Sequence, residues 1–318
     1  MAMVNSVSII GCGISGIFAA LELKKHGVRN IQLFDKSRGV GGRLATRRSN
    51  EGKFDHGIQC IELDGLLNLP EIKDLINNNI LIETQKTGLF VGYEGMTSVA
   101  KFLTKDLNVC KEFKLTSIDN SESSMFLNFE NGQRITTNSV ILSSPINQSI
   151  EIIKNSNINI NTTKFTEIKR LEYFPAIIIM IESENSINLD NEFIQNSSSG
   201  TFTTITDNFK KRISKKENFY TLICSENFSA KNFEKEYQDI NSSLKNELDT
   251  IFSNKYKILS NHKWRYSTPK NFYPNDDSIN IGENVFLGMC GDIFTNGRFD
   301  GAIKSGISIA SKFLENEI

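Results

Sequence analysis

Apolar and polar positions follow two rhythms along this chain. Ser6–Ile10 is a short apolar run, the mark of a buried strand. From Ser15 to His26 the rhythm turns helical, with Ile14, Ile17, Phe18 and Leu21 on one face and Gly27 where a C-cap belongs. Ile31–Phe34 is a second buried strand, and Asp35 ends it. Strand, helix and strand with such short connections predict a right-handed βαβ unit. Lys36–Gly57 has no period and is rich in Gly, Arg and Ser, which predicts a loop.

Further along, a weak helix is expected over Glu71–Ile76, strands over Ile80–Glu83 and Leu89–Tyr93, and a helix over Thr97–Leu107. Phe113–Ile118, Met125–Glu130 and Arg134–Thr137 read as a hairpin set, with Asn131-Gly132 as a turn. Val140–Leu142 is an unbroken apolar run led by β-branched Val140 and Ile141, the pattern of a buried parallel strand. Between about 150 and 260 the pattern changes. Ala176–Ile181, Thr201–Thr206 and Tyr220–Cys224 are strands, and Phe228–Phe252 is one long amphipathic helix. Val285–Leu287 returns to a buried strand. Asp300–Asn316 closes the chain as a helix whose apolar face is Ile303, Ile307, Ala310, Phe313 and Leu314. The expected architecture is α/β: a discontinuous nucleotide domain (1–60, 96–150 and 280–318) with a β-rich α+β substrate domain inserted (61–95 and 151–279).

Composition narrows this little. The chain has 318 residues, 39% hydrophobic and 23% charged, with a net charge of −1. Nothing in that balance argues for nucleic acid or an anionic membrane as a partner. Five cysteines without a CxxC pair suggest neither a zinc site nor a disulfide frame, so no metal is expected and the thiols fit a reducing cytoplasm. No signal peptide and no membrane span are expected. The expected assembly is a monomer or weak dimer.

The chemistry begins at Gly11-Cys12-Gly13-Ile14-Ser15-Gly16. A helix N-terminus offers unpaired N–H groups and a partial positive charge, so it binds phosphate. In this pattern Gly11 permits the tight turn, Gly13 lets backbone approach a pyrophosphate, and Gly16 lets helix pack on strand. Asp35 stands where a carboxylate accepts ribose hydroxyls and repels a 2′-phosphate. This much leaves NAD and FAD both open.

The run Asp35-Lys36-Ser37-Arg38-Gly39-Val40-Gly41-Gly42-Arg43 resembles the extended FAD fingerprint of the amine oxidase, phytoene desaturase and renalase superfamily. With Lys36–Arg48, Phe54-Asp55-His56-Gly57, Tyr93–Met96, His262–Tyr266 and Cys290-Gly291-Asp292 followed by Gly301-Ala302 and Ser305-Gly306, the chain resembles renalase and its small bacterial relatives. The resemblance implies a Rossmann-like FAD-binding domain of the GR2 type. It implies cofactor contacts at Gly11, Gly13, Ile14, Ser15, Gly16, Asp35, Lys36, Gly41, Gly42, Arg43, His56, Gly57, Gly291, Asp292, Gly301 and Ala302. Arg43 would fork a phosphate, His56 would touch the cofactor through its backbone, and the closing helix would aim its N-terminus at the flavin. The chain departs from the pattern at Cys60-Ile61-Glu62, where an aromatic residue is usual, and its 60–90 segment is short.

The same resemblance implies an FAD-dependent oxidase or dehydrogenase. Its substrate would be a reduced nicotinamide dinucleotide, in particular a misreduced dihydro isomer, with dioxygen as acceptor. His262 and Trp264 are the candidate catalytic residues. The alternatives are a hydrogen-bonded strand residue for His262, a buried anchor for Trp264 and a structural loop residue for His56. Arg265 and Arg298 could clamp an anion or serve as ordinary pairs, the basic run Lys210–Lys216 reads as a solvated loop, and Cys290 as a packing thiol. Two other functions stay open: an amine oxidase or desaturase, which would show an apolar tunnel or aromatic cage, and a non-catalytic flavoprotein, whose flavin no pyridine nucleotide or amine would reduce.

Overall fold

The computed structural model describes residues 6–49, 52–63, 65–120, 124–189, 193–196 and 200–316. The chain divides into two compact units, Met1–Gly42 with Ala100–Glu172 and Pro269–Ile318, and Arg43–Val99 with Tyr173–Thr268.

The first unit is built on a six-stranded sheet. β1 (Ser6–Ile10) pairs in parallel with β2 (Asn30–Asp35) on one side and with Ser139–Leu142 on the other. Val109–Lys111 extends the sheet beyond β2. Phe286–Met289 extends it in parallel beyond Ser139–Leu142, and Ile279–Asn280 adds an antiparallel edge. Val7, Ile9, Val140, Ile141, Leu142 and Leu287 are all buried, as strands covered on both faces must be. α1 (Ile14–Lys25) crosses from β1 to β2 and ends in basic residues, with Gly27 in the positive-φ position after it (φ 85°). A three-stranded meander, Leu115–Asn120, Met125–Phe129 and Arg134–Thr137, turns at Gly132 as the Asn-Gly pair predicts. The closing helix Phe299–Asn316 lies against α1, and Gly306 permits that approach. A Cβ there would fall 2.3 Å from the Ser15 carbonyl.

The second unit carries a five-stranded sheet ordered Ile194–Asn196, Phe202–Asp207, Phe219–Cys224, Tyr173–Ser183, Tyr256–Pro269. Its core joins Ile177, Ile179, Ile181, Tyr220 and Leu222 to Ile240, Leu244, Leu248 and Phe252 of the helix Tyr237–Phe252. A smaller sheet orders Ile61–Glu62, Leu89–Gly92, Leu81–Glu83.

Several expectations change. Residues 43–60 and 96–99 group with the second unit, where Phe54 packs on Met180 and Phe219, Asp55 pairs with Lys211 and the Met96 N–H donates to Asp55. Residues 151–172 and 269–279 group with the first, whose antiparallel edge strand falls in the latter stretch. The expected loop Lys36–Gly57 contains a hairpin, Thr46–Arg48 with Lys53–Asp55. Strands of three residues are too short to show a period. The long helix expected over Phe228–Phe252 is two, Glu226–Asn232 and Tyr237–Phe252, with Phe233 buried at the break. The helix expected over Thr97–Leu107 stops at Leu103. The basic run Lys210–Lys216 is not all solvated, since Lys211 is 2% exposed.

Candidate functional site

In the first unit, the glycine loop has the geometry its sequence demands. Gly11 stands at φ 105°, and a Cβ on Gly16 would fall 2.2 Å from the Gly11 carbonyl, so position 16 admits no side chain. Gly13 is different. Its Cβ would meet nothing within 4 Å, so the space beside this backbone is open. Gly13 is the N-cap of α1, no side chain caps it, and no acidic residue stands in the first turn. The N–H groups of Ile14, Ser15 and Gly16 open the helix, where no intrahelical acceptor exists. Open space at an uncapped helix N-terminus is what a pyrophosphate needs.

The second loop closes on the first. Asp35 Oδ2 accepts from the Cys12 N–H at 2.8 Å and Oδ1 from the Ser37 N–H at 2.8 Å. The Gly41 N–H donates to the Cys12 carbonyl at 2.7 Å. A Cβ on Gly42 would stand 3.5 Å from Gly13 Cα. Lys36 is exposed and reaches Gln148. Burial and the Asp35 carboxylate push the Cys12 thiol up to about 12, so it stays protonated.

Gly291, next to the strand Phe286–Met289, also faces open space, and its N–H donates to Ser305 Oγ at 2.9 Å. Asp292 is 3% exposed. At the closing helix, Gly301 makes room for the chain's own side chains. A Cβ there would fall 2.1 Å from Asn296 Oδ1 and 2.2 Å from Thr295 Oγ1. The Ala302 N–H is spent inside the helix, on the Arg298 carbonyl. Asp300 places a carboxylate in the first turn, near Arg298 and Lys304. This helix end carries its own anion, unlike that of α1.

In the second unit, His56, His262 and Trp264 come together. The His56 ring lies parallel to Trp264 (centroids 5.8 Å apart, 14°) and edge-on to His262 (4.7 Å, 72°). His262 and Trp264 alternate along the strand Tyr256–Pro269 and so share one face. Both backbone groups of His56 are engaged: its N–H donates to Ala45 O at 2.9 Å, and its carbonyl accepts from Trp264 Nε1 at 2.7 Å. Burial, the neighbouring His262 and the Arg47 guanidinium lower His56 to about 3, and burial and Arg47 lower His262 to about 4. Both imidazoles are therefore neutral at pH 7. Arg47 is held by Ser260 Oγ and the Asn261 carbonyl.

Arg43, expected to fork a phosphate, donates to the Ser267 carbonyl at 2.6 Å and stands 5.9 Å over the Tyr173 ring. Gly57 is required by packing, since a Cβ would fall 1.9 Å from the Arg43 carbonyl. Asp55 and Lys211 form a pair at 2.5 Å with both side chains fully buried. Asp55 Oδ1 also accepts from Thr46 Oγ1 at 2.5 Å and the Met96 N–H at 2.9 Å. Asp55 lies within the Phe54-Asp55-His56-Gly57 motif, which assigns it no role, and nothing in the sequence marks Lys211. Arg265 pairs with Glu234 at the surface. Among the described residues no cluster of His, Cys, Asp and Glu could hold a metal ion. No described helix is long and apolar enough to cross a membrane.

Residues 9–77 match the family of NAD(P)-binding Rossmann-like domains. Over whole chains, the structure is similar to a putative protoporphyrinogen oxidase from Exiguobacterium sp. 255-15. The TM-score is 0.71 at 11% identity, over 98% of this chain and 99% of that one. It is similar to putrescine oxidase bound to putrescine, with a TM-score of 0.71 at 14% identity over 98% and 99% of the two chains. These likenesses show a shared fold. A fatty acid isomerase from P. acnes that produces CLA shares it too, with a TM-score of 0.69 at 9% identity over 97% and 98% of the chains. The same fold thus serves proteins named for different substrates, and the substrate must be argued from the site.

Proposed function

We propose that the protein is an FAD-dependent oxidoreductase that oxidises a reduced nicotinamide dinucleotide, in particular a misreduced dihydro isomer, with dioxygen as the final acceptor. The observation that carries the cofactor is the open space at Gly13 on the uncapped end of α1, with Asp35 and Gly41 closing the loop behind it. The residues fit the group. Ile14, Ser15 and Gly16 would hold the pyrophosphate, Asp35 a ribose, and Gly291 a further stretch of cofactor. When bound, FAD would supply the hydride acceptor at N5.

In the second unit, His262 and Trp264 offer rings that carry no charge of their own, beside the Arg47 guanidinium. His262, lowered to about 4, can accept a hydrogen bond at neutral pH but brings no positive charge. Trp264 has its N–H tied to His56, whose ring lies parallel to it, and His262 stands edge-on at 4.5 Å, so Trp264 can offer a substrate only the ring surface these two leave. An aromatic ring and a neutral imidazole suit a dihydronicotinamide ring. The amine reading finds less support. The Tyr173–Tyr266 pair already holds a cation of the chain's own, Arg43, over Tyr173.

The test is anaerobic mixing of FAD-loaded protein with each dihydro isomer of NAD(P), following the flavin's visible absorbance. Bleaching is expected to be faster with a misreduced isomer than with ordinary NADH. Equal or slower bleaching overturns the substrate, and failure to retain FAD overturns the cofactor.

A further inference from the structure

The Cys12 amide of the glycine loop is already in use. The Cys12 N–H meets the Asp35 carboxylate at 2.8 Å, and the Cys12 carbonyl meets the Gly41 N–H at 2.7 Å. We propose that Asp35 is a positioning residue that sets the phosphate loop through the Cys12 peptide, so that one carboxylate couples ribose recognition to pyrophosphate recognition. The proposal rests on Gly11–Gly16 being a dinucleotide cradle and adds a task to an acid otherwise expected only to meet a ribose.

The carboxylate is not free to swing. Its other oxygen holds the Ser37 N–H at 2.8 Å, and the Asp35 carbonyl is fixed by the Phe113 N–H at 2.9 Å. One residue earlier, the Phe34 carbonyl accepts the Gly11 N–H at 2.8 Å. Two consecutive residues of β2 thus grip two consecutive residues of the loop, one by main chain and one by side chain. The Cys12 side chain is fully buried, so the peptide cannot turn outward to seek water. Hydrogen bonds from N–H to an ionised acceptor are about twice as strong as neutral ones. Without the carboxylate the Cys12 peptide is held on one side only. The next residues are Gly13, whose backbone borders the open space, and the uncapped amides of α1. An asparagine repairs half the arrangement: its oxygen accepts one N–H while its amide nitrogen faces the other.

The discriminating probe is inorganic pyrophosphate, which has no ribose. Binding of FAD and of pyrophosphate, the latter by competition with FAD, is measured for the full chain and for Asp35→Asn and Asp35→Ala. A ribose contact alone predicts weaker FAD binding and unchanged pyrophosphate binding, and that result overturns the proposal. Positioning predicts that Asp35→Ala weakens pyrophosphate too, by about ten-fold, or ~1.4 kcal/mol, with Asp35→Asn in between. Hydrogen exchange on the ligand-free proteins gives an independent readout. The Cys12 amide should exchange about ten-fold faster in the variants while Val7 and Ile9 in β1 keep their rates. Should the unaltered chain bind neither ligand, the dinucleotide reading falls, and exchange still decides for Asp35: an unchanged Cys12 rate overturns the proposal. If Asp35→Ala does not fold, Asp35→Asn carries the same two measurements.

Discussion

The pair between Asp55 and Lys211 should be the most damaging single contact to break in the second unit. Both side chains are fully buried, and the ammonium lies 2.5 Å from Oδ2. Replacing Lys211 by Met removes the countercharge and leaves a carboxylate with only the Thr46 hydroxyl and the Met96 N–H, both on Oδ1. Removing one partner of a buried pair costs roughly 3–5 kcal/mol, because the other charge stays behind uncompensated. Against a typical stability of about 5–15 kcal/mol, that is a third or more of the total. Trp264 is the chain's only tryptophan and belongs to this unit, so its fluorescence in a urea titration follows the right transition. Asp55→Asn strands the ammonium instead and should cost a comparable amount. The double variant should cost less than the sum, since neither charge is then left alone. Lys210→Met, at an exposed neighbour, serves as control and should stay within about 0.5 kcal/mol. A Lys211→Met loss below about 1 kcal/mol would refute the reasoning, because it would mean that Lys211 reaches water.

Other outcomes follow from single distances or pKa values. Gly13→Ala should leave ligand-free thermal stability within about 0.5 kcal/mol of the parent yet weaken FAD binding, while Gly16→Ala should lose both, since its Cβ falls 2.2 Å from Gly11 O. Calorimetry with and without FAD separates the two. Gly57→Ala should destabilise the second unit in the urea titration, its Cβ falling 1.9 Å from Arg43 O. His56 and His262 are lowered to about 3 and 4, so between pH 6.5 and those values the unfolded chain binds more protons than the folded one. Stability should therefore fall as pH drops below 6.5, by about 2 kcal/mol per histidine near pH 4.5. Unfolding curves at pH 7 and 4.5 check this, and a His56→Gln, His262→Gln variant should show a flatter dependence.

What could be read from the sequence was local. β1, α1 and β2 announce themselves because strand, glycine turn and helix follow within thirty residues, and because buried parallel strands are plainly apolar. Asp35 is legible as an acid at a strand end, but its hold on the Cys12 amide depends on a turn geometry that letters do not carry. The strand Tyr256–Pro269 hides for another reason. Its residues are mostly half-buried and polar, so neither rhythm shows. Arg43 is legible as a cation after two glycines, but its bond to the Ser267 carbonyl, far along the chain, is not.

Lys211 marks where sequence reading stops, and the reason bears on the whole second unit. A lysine among lysines reads as surface, since burying an unpaired ammonium is prohibitive. What makes it tolerable is an aspartate far upstream, brought close by the sheet that also seats Phe54 against Phe219. Asp55 is flanked by Phe54 in that core and by His56 in the aromatic cluster. The pair therefore fixes the backbone from which the His56 ring projects. The Thr46 and Met96 contacts tie the hairpin and the Gly95 turn to the same carboxylate. If so, Lys211→Met should disturb more than stability: in protein that remains folded, Trp264 emission should shift, because the carbonyl its N–H meets belongs to His56. An unshifted spectrum in a folded, destabilised variant would confine Asp55 and Lys211 to holding the unit together, with no hand in placing His56.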